Sequence, residues 1–198
     1  MAPHVLRVAQ IVLGALLAVA LLLAGLGALL PRHWRVEQSI MINAPPVAIH
    51  AWVNDLRHWS EWAQWNKSEL APRNQIGAPS IGAGATLTWY GKAERDADLT
   101  SGEVRIVRSD AALGVWFENR TRGGDPSRAQ VTYVPQPGVT EVFWRDEGEL
   151  PLIVGGLFLD LFQKRLSQHM EAGLARLKNL VELEGRVDPS LRAAPLDP

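Results

Sequence analysis

The feature that most constrains this chain is IVLGALLAVALLLAGLGALL, an uncharged apolar run from Ile11 to Leu30. As a helix it rises about 1.5 Å per residue and spans roughly 30 Å, which matches the hydrocarbon core of a bilayer. Its nine leucines, with Ile11, Val12 and Val19, each favour insertion by about 0.3–0.6 kcal/mol near mid-span, and Gly14, Gly25 and Gly27 do not cancel that sum. Residues 1–31 therefore read as an N-terminal membrane anchor. The rival reading is a cleaved signal peptide, with Arg7 ahead of the run and the small residues Ala24 and Ala28 near its end, but signal cores are usually about 7–15 residues long. The expectation is a single-pass protein of a bacterial-type inner membrane. Arg7 on one flank and Arg32 and Arg35 on the other leave the side of the soluble part undetermined. Only Pro31, Arg32 and His33 precede Trp34, so the folded domain must lie against the bilayer, and Trp34 itself suits either the headgroup layer or simple packing at the domain edge.

Composition removes several functions. A formal net charge of −1, with the charges mixed along the chain, leaves no basic stripe for nucleic acid. The absence of cysteine excludes disulfides, thiolate metal sites and a cysteine nucleophile. The glycines of NQIGAPSIGAGA precede a strand, and no Lys-Ser/Thr ending follows them, so they turn the chain rather than cradle phosphate. No Gly-x-Ser-x-Gly elbow is present. His58 with Glu61 and His169 with Glu171 lack a third ligand at a sensible spacing, so no metal and no cofactor is expected.

After the anchor the pattern reads strand, helix, five strands, long helix. WRVEQSIMINAP (34–45) alternates as a strand until Asn43, Pro45 and Pro46 stop it. A helix begins at Pro46, where proline is tolerated in the first turn, and buries Ile49, Trp52, Val53 and Leu56. Trp59, Trp62 and Trp65 continue that helix or form a second short one. The strands TLTWYGKA, SGEVRIVRS, LGVWFENRT, RAQVTYVPQ and VTEVFWRDEGE follow, with short separators that indicate antiparallel hairpins. Period-two reading puts Leu87, Trp89, Val104, Ile106, Val115, Phe117, Val131, Tyr133, Val142 and Trp144 on one face and leaves the other face wet. From Leu150 the period becomes helical, with Phe162, Leu166, Met170, Leu174, Leu177 and Val181 in register to Gly185. Residues 34–184 are expected to be one α+β domain, and residues 185–198 a disordered tail.

Three segments, SIMINAPPVAIHAWVNDLRHWSEWAQW, GAPSIGAGATLTWYG and GGLFLDLFQKRLSQHMEAGLARLKNLVE, together with the strand order, resemble the START-like, helix-grip superfamily that includes polyketide cyclases and dehydratases, pollen-allergen-type proteins and lipid-transfer domains. The resemblance covers nearly everything after Pro31 and is nearest to membrane-anchored polyketide cyclase or dehydratase-like members. It implies a curved antiparallel sheet wrapped around a long C-terminal helix. It brings no catalytic residue set, because members differ in chemistry and fold alone does not supply function. His50 departs from the pattern, standing where a large apolar side chain is usual; outward rotation to solvent is the simpler expectation, inward projection the other.

A bent sheet cannot press flat on one helix, so a cavity is expected between them. Trp59 is read as core. The expected ligand-binding residues are Trp62 and Trp65 from the tryptophan segment, Leu87, Trp89, Ile106, Phe117, Tyr133 and Trp144 from the strands, and Phe162, Leu166, His169 and Met170 from the long helix. The first functional reading is membrane-tethered, non-catalytic binding of a hydrophobic or lipid-like small molecule. The others are a cyclase or dehydratase in which His50, His169, Tyr133 or Tyr90 orients a polyketide-like substrate, and an interaction domain for a membrane protein.

Overall fold

The structure is a computed structural model that describes residues 3–63, 73–90, 101–121, 124–152 and 155–187. Helix α1 (Pro3–Leu29) leads into β1 (His33–Ile42), α2 (Pro46–Val53), a 3-10 turn (Leu56–His58) and α3 (Trp59–Trp62). Strands β2 (Arg73–Ile76), β3 (Thr86–Tyr90), β4 (Gly102–Asp110), β5 (Gly114–Thr121), β6 (Ser127–Gln136) and β7 (Val139–Glu149) precede helix α4 (Gly155–Val187). All seven strands form one antiparallel sheet in the order β1-β7-β6-β5-β4-β3-β2. The six-strand expectation missed β2. That strand is a four-residue edge paired only with β3, and an edge strand with one neighbour does not need apolar alternation.

Alternation sets the two faces of the sheet. Val104, Ile106, Val115, Phe117, Val131, Tyr133, Val142 and Trp144 are all buried. The outer face carries a ladder of alternating charge across five strands, with Arg35 opposite Glu147, Glu147 opposite Arg128, Arg128 opposite Glu118 and Glu118 opposite Arg105. Opposite charges across neighbouring strands favour this register and this face outward. A register shift between Ile106 and Arg108 inserts the exposed Val107, and a bulge of this kind bends the strand and strengthens its twist.

Helix α4 crosses the inner face and is held differently along its length. Its C-terminal half buries Met170, Leu174, Leu177 and Val181, a spacing of four, three and four that keeps one stripe on the sheet. Polar staples reinforce that half. Lys178 Nζ donates to the Met41 carbonyl at 2.7 Å, Glu182 accepts from the Asn43 backbone and side chain, and Glu184 accepts from Trp52 Nε1 at 2.6 Å. The helix starts at Gly155 rather than Leu150 and runs to Val187, past the stop expected at Gly185; Gly185 is buried there. The rest of the expected tail, residues 188–198, lies outside the described residues.

Among the described residues one helix, Arg7–Leu29 within α1, is long and apolar enough to cross a membrane, with 6% of its most apolar window buried. Its last turn meets the start of α4, where a side chain at Gly156 would collide with Leu30 and crowd the Gly27 carbonyl.

Candidate functional site

The size of the inward side chains divides the interior in two. At mid-sheet, Trp59 meets Trp62 and Phe117 at ring-centroid distances of 5.4 and 4.8 Å, and Trp62 meets Trp144 at 5.3 Å, all edge-to-face. Met170 and Leu174 close this layer from α4, and every member is at most 1% exposed. Edge-to-face contacts place ring hydrogens on the negative π-faces and add to the burial of large apolar area. This half is solid.

Toward the end next to α1 the inward positions become small or polar: Asn119, Ser127, Asp146 and Gly148. A cavity of about 310 Å³ opens there between the sheet and the N-terminal half of α4. Trp34, Trp89, Phe162, Leu166, Leu150 and Pro151 make its apolar walls, and Asn119, Thr121, Ser127 and Asp146 its polar floor, with Asp125 and Glu149 also lining it. The two wall indoles lie over glycines. A Cβ at Gly102 would strike the Trp89 ring and the Arg120 carbonyl, and one at Gly148 would strike the Trp34 ring. These glycines let each indole lie close to the sheet and leave the space beyond it open. Trp34 also packs on Phe162 at 4.8 Å.

The floor is an acid held by neutral donors. Trp34 Nε1 donates to Asp146 Oδ1 at 2.9 Å, and Asn119 Nδ2 donates to Asp146 Oδ2 at 3.1 Å and to Ser127 Oγ at 3.3 Å. Burial pushes the Asp146 carboxyl up to about 6, against the hydrogen bonds from Trp34, Ser127 and Asn119 and with Glu147 adding to the rise. Desolvation of the charged form outweighs the donors that favour it. Asn119 Oδ1 is buried and has no hydrogen-bond partner.

A second buried polar cluster lies elsewhere in the core. His50 is 9% exposed, with Nδ1 3.3 Å from the Tyr133 hydroxyl and Nε2 3.2 Å from Ser109 Oγ. Ser109 donates onward to Asn54 Oδ1 at 2.6 Å, so the consistent tautomer has Nε2–H donating to Ser109 and Nδ1 accepting from Tyr133. Burial lowers the His50 pKa, with the Asp110 charge opposing, and burial raises Tyr133 above the ordinary phenol range. The outward expectation for His50 is thereby corrected: Tyr133 and Ser109 satisfy its ring inside the core, which a large apolar side chain could not do for them.

Of the twelve residues expected to bind ligand, Trp89, Phe162 and Leu166 line the cavity. Trp62, Leu87, Ile106, Phe117, Tyr133, Trp144 and Met170 are buried in the core cluster and are not among the residues lining it. His169 sits 5.9 Å from the Trp144 ring and bonds to the Ala63 backbone. Burial and the Arg176 charge lower its pKa against that bond. Trp65 lies outside the described residues. Of the two readings of Trp34, headgroup seat or packing at the domain edge, the structure shows packing: the residue is 8% exposed and its N–H donates to Asp146. His58 Nδ1 meets Glu61 at 3.1 Å, and no group of three metal-ligating side chains occurs among the described residues. Sequence reasoning missed Trp34, Asn119, Ser127 and Asp146 as cavity residues. The usable signal was a carboxylate two positions after Trp144, on the inward parity of β7.

A family model described as polyketide cyclase / dehydrase and lipid transport matches residues 33–182. The chain belongs to this family. Several solved structures share its fold. The KanY protein, known in solution, superposes with a TM-score of 0.56 at 18% identity, covering 76% of this chain and 98% of KanY. TTHA0849 of Thermus thermophilus gives 0.52 at 19% identity over 76% of this chain and 99% of its own. DynU16, from the dynemicin biosynthetic locus, gives 0.51 at 16% identity over 76% of this chain and 48% of its own. Identities this low establish a shared fold and nothing about ligand. No curated protein matches the chain significantly.

Proposed function

We propose that this member of the polyketide cyclase / dehydrase and lipid transport family is a membrane-tethered binding protein that holds a hydrophobic or lipid-like molecule in the cavity between the sheet and α4. The observation that carries the reading is the position of the cavity beside the end of α1. Leu150, one of its walls, exchanges hydrogen bonds with Arg32, the backbone N–H donating to the Arg32 carbonyl at 2.9 Å and the guanidinium returning to the Leu150 carbonyl at 3.2 Å. Gly156 fits against Leu30. An apolar guest leaving the bilayer beside α1 would reach such a cavity with little exposure to water, which is the costly step for apolar surface. Leu152, Leu157, Phe158 and Leu161 are 39–56% exposed at the same end. Exposed apolar groups clustered next to a spanning helix suit contact with lipid.

Native mass spectrometry of the full chain released from mild detergent tests this. A co-purifying or added long-chain guest is expected at one per chain, and Phe162→Trp, which fills the cavity, should lower its occupancy. A chain that never retains an apolar guest would overturn the proposal. A cyclase- or dehydrase-type reaction is the second reading, favoured by one observation: a carboxyl near 6 on the cavity floor is suited to exchanging protons close to neutral pH. His50 and Tyr133 satisfy each other in the core and do not line the cavity.

A further inference from the structure

Resting on the membrane-tethered reading above, we infer that the first two turns of α4 are a second membrane contact, which sinks Leu157, Phe158 and Leu161 into the interfacial layer and sets Lys164 and Arg165 against anionic phospholipid head groups. The depth of this segment follows from α1. Gly27 is buried in a helix that is otherwise almost wholly exposed, and a Cβ at Gly156 would stand 3.1 Å from the Gly27 carbonyl oxygen and 2.5 Å from Leu30 Cβ. Gly27 and Leu30 are about 4.5 Å apart along the helix axis, so α4 starts level with the last turn of α1 and not beyond it. Where α1 crosses a bilayer, that turn lies at the edge of the hydrocarbon core, and the start of α4 lies there with it.

The side chains of α4 at that depth suit lipid. Leu157, Phe158 and Leu161 are exposed, the last two by 55–56%. Met170, nine residues after Leu161, projects about 180° away and is buried in the core. Lys164 and Arg165 follow Leu161 by three and four residues, so they stand over the same outer face one turn further from α1, and both are exposed. Leaving a membrane, a helix meets acyl chains first and phosphates next, and apolar residues followed by Lys and Arg match that order. Cations held close to an anionic leaflet are attracted to it. Asp160, one residue before Leu161, projects about 100° away from it. Leu150, Pro151 and Phe162 line the cavity and flank this segment, so the contact holds that side of the cavity at the lipid surface.

The chain has no cysteine, so a single one can be introduced and labelled with the polarity-sensitive dye NBD. The full chain is reconstituted into phosphatidylcholine vesicles, with or without phosphatidylserine, and the dye is quenched by lipids that carry a spin label on the acyl chain. Four exposed positions are compared: Leu22→Cys in α1, Phe158→Cys and Leu161→Cys in the proposed contact, and Gln168→Cys about two turns further along the same face. Quenching and blue-shifted emission are expected for the labels replacing Leu22, Phe158 and Leu161 and are lost for the one replacing Gln168. Phosphatidylserine should increase the quenching at Leu161, and Lys164→Gln combined with Arg165→Gln should abolish that gain without changing the label at Leu22. If the Leu22 label is quenched while those at Phe158 and Leu161 are not, or are quenched no more than the one at Gln168, the second contact is overturned and the tether stands. An unquenched Leu22 label overturns the tether and this inference with it. Quenching at Leu161 that ignores phosphatidylserine, or responds to it equally in the double variant, overturns the head-group assignment.

Discussion

Asp146 sits on the inward parity of β7, four per cent exposed, where its neighbours Val142 and Trp144 are apolar, and that position makes stability depend on pH. Its carboxyl titrates at about 6 in the folded chain against 3.8 unfolded. Between those values the folded state keeps a proton that the unfolded state has released, so stability from this group falls as pH rises. The loss is complete above the folded pKa and amounts to about 3 kcal/mol. Asp146→Asn removes the titration. Relative to the unaltered chain, this variant should gain stability as pH rises from about 4 to about 6, whatever it loses uniformly from the altered hydrogen bond to Asn119. Denaturant unfolding at several pH values measures the difference, and parallel curves would show that Asp146 titrates normally. His50 supplies a second residue-scale test. Replacing it with Leu strands the Tyr133 hydroxyl and should cost about 1–3 kcal/mol. In a double-mutant cycle, Tyr133→Phe should cost little once His50 is gone.

At the scale of elements, α4 is one continuous helix with two mechanical halves. The C-terminal half is buried along one stripe and stapled by Lys178 to β1 and by Glu182 to Asn43 just after it, while the N-terminal half roofs a cavity and rests on Trp34 and on the Gln38–Ser167 hydrogen bond at 2.9 Å. Local opening follows buried contact, so amide exchange should be slower around Leu174–Val181 than around Leu157–Leu161. Equal protection in the two halves would contradict the division. The strands make a matching choice at Gly102 and Gly148, where the missing side chains admit the Trp89 and Trp34 rings. Gly102→Ala should cost about 1–3 kcal/mol by overpacking and shift the fluorescence of Trp89. An unaltered spectrum and melting curve would mean that the ring has room elsewhere.

For the whole molecule, the end of α1 meets the start of α4 beside the cavity, where Gly156 lies against Leu30. Residues Arg7–Leu29 form the only described helix that is long and apolar enough to cross a membrane. If α1 stays attached, alkaline carbonate washing of cell membranes should leave the chain in the pellet; its release as a shorter species would identify residues before His33 as a removed leader.

Much of this was legible without coordinates. The length and apolarity of Ile11–Leu30, the period-two strands, the change to helical period after Leu150 and the resemblance in the tryptophan segment are local or nearly local patterns, and they determined the α+β helix-grip architecture and the inward face of each strand. Each depends only on how neighbouring residues project from a helix or a strand. Where the interior is filled and where it is hollow depends on residues far apart in sequence. Trp59, Trp62, Phe117 and Trp144 meet from three segments to close one half. Asn119, Ser127, Asp146 and Gly148 fall together at the other end and leave it open. Large aromatic residues on an inward face therefore marked the packed core as readily as a binding wall. Only the register between strands and the crossing of α4 decided between the two, because volume left over in a core is the sum of side chains brought together by tertiary pairing.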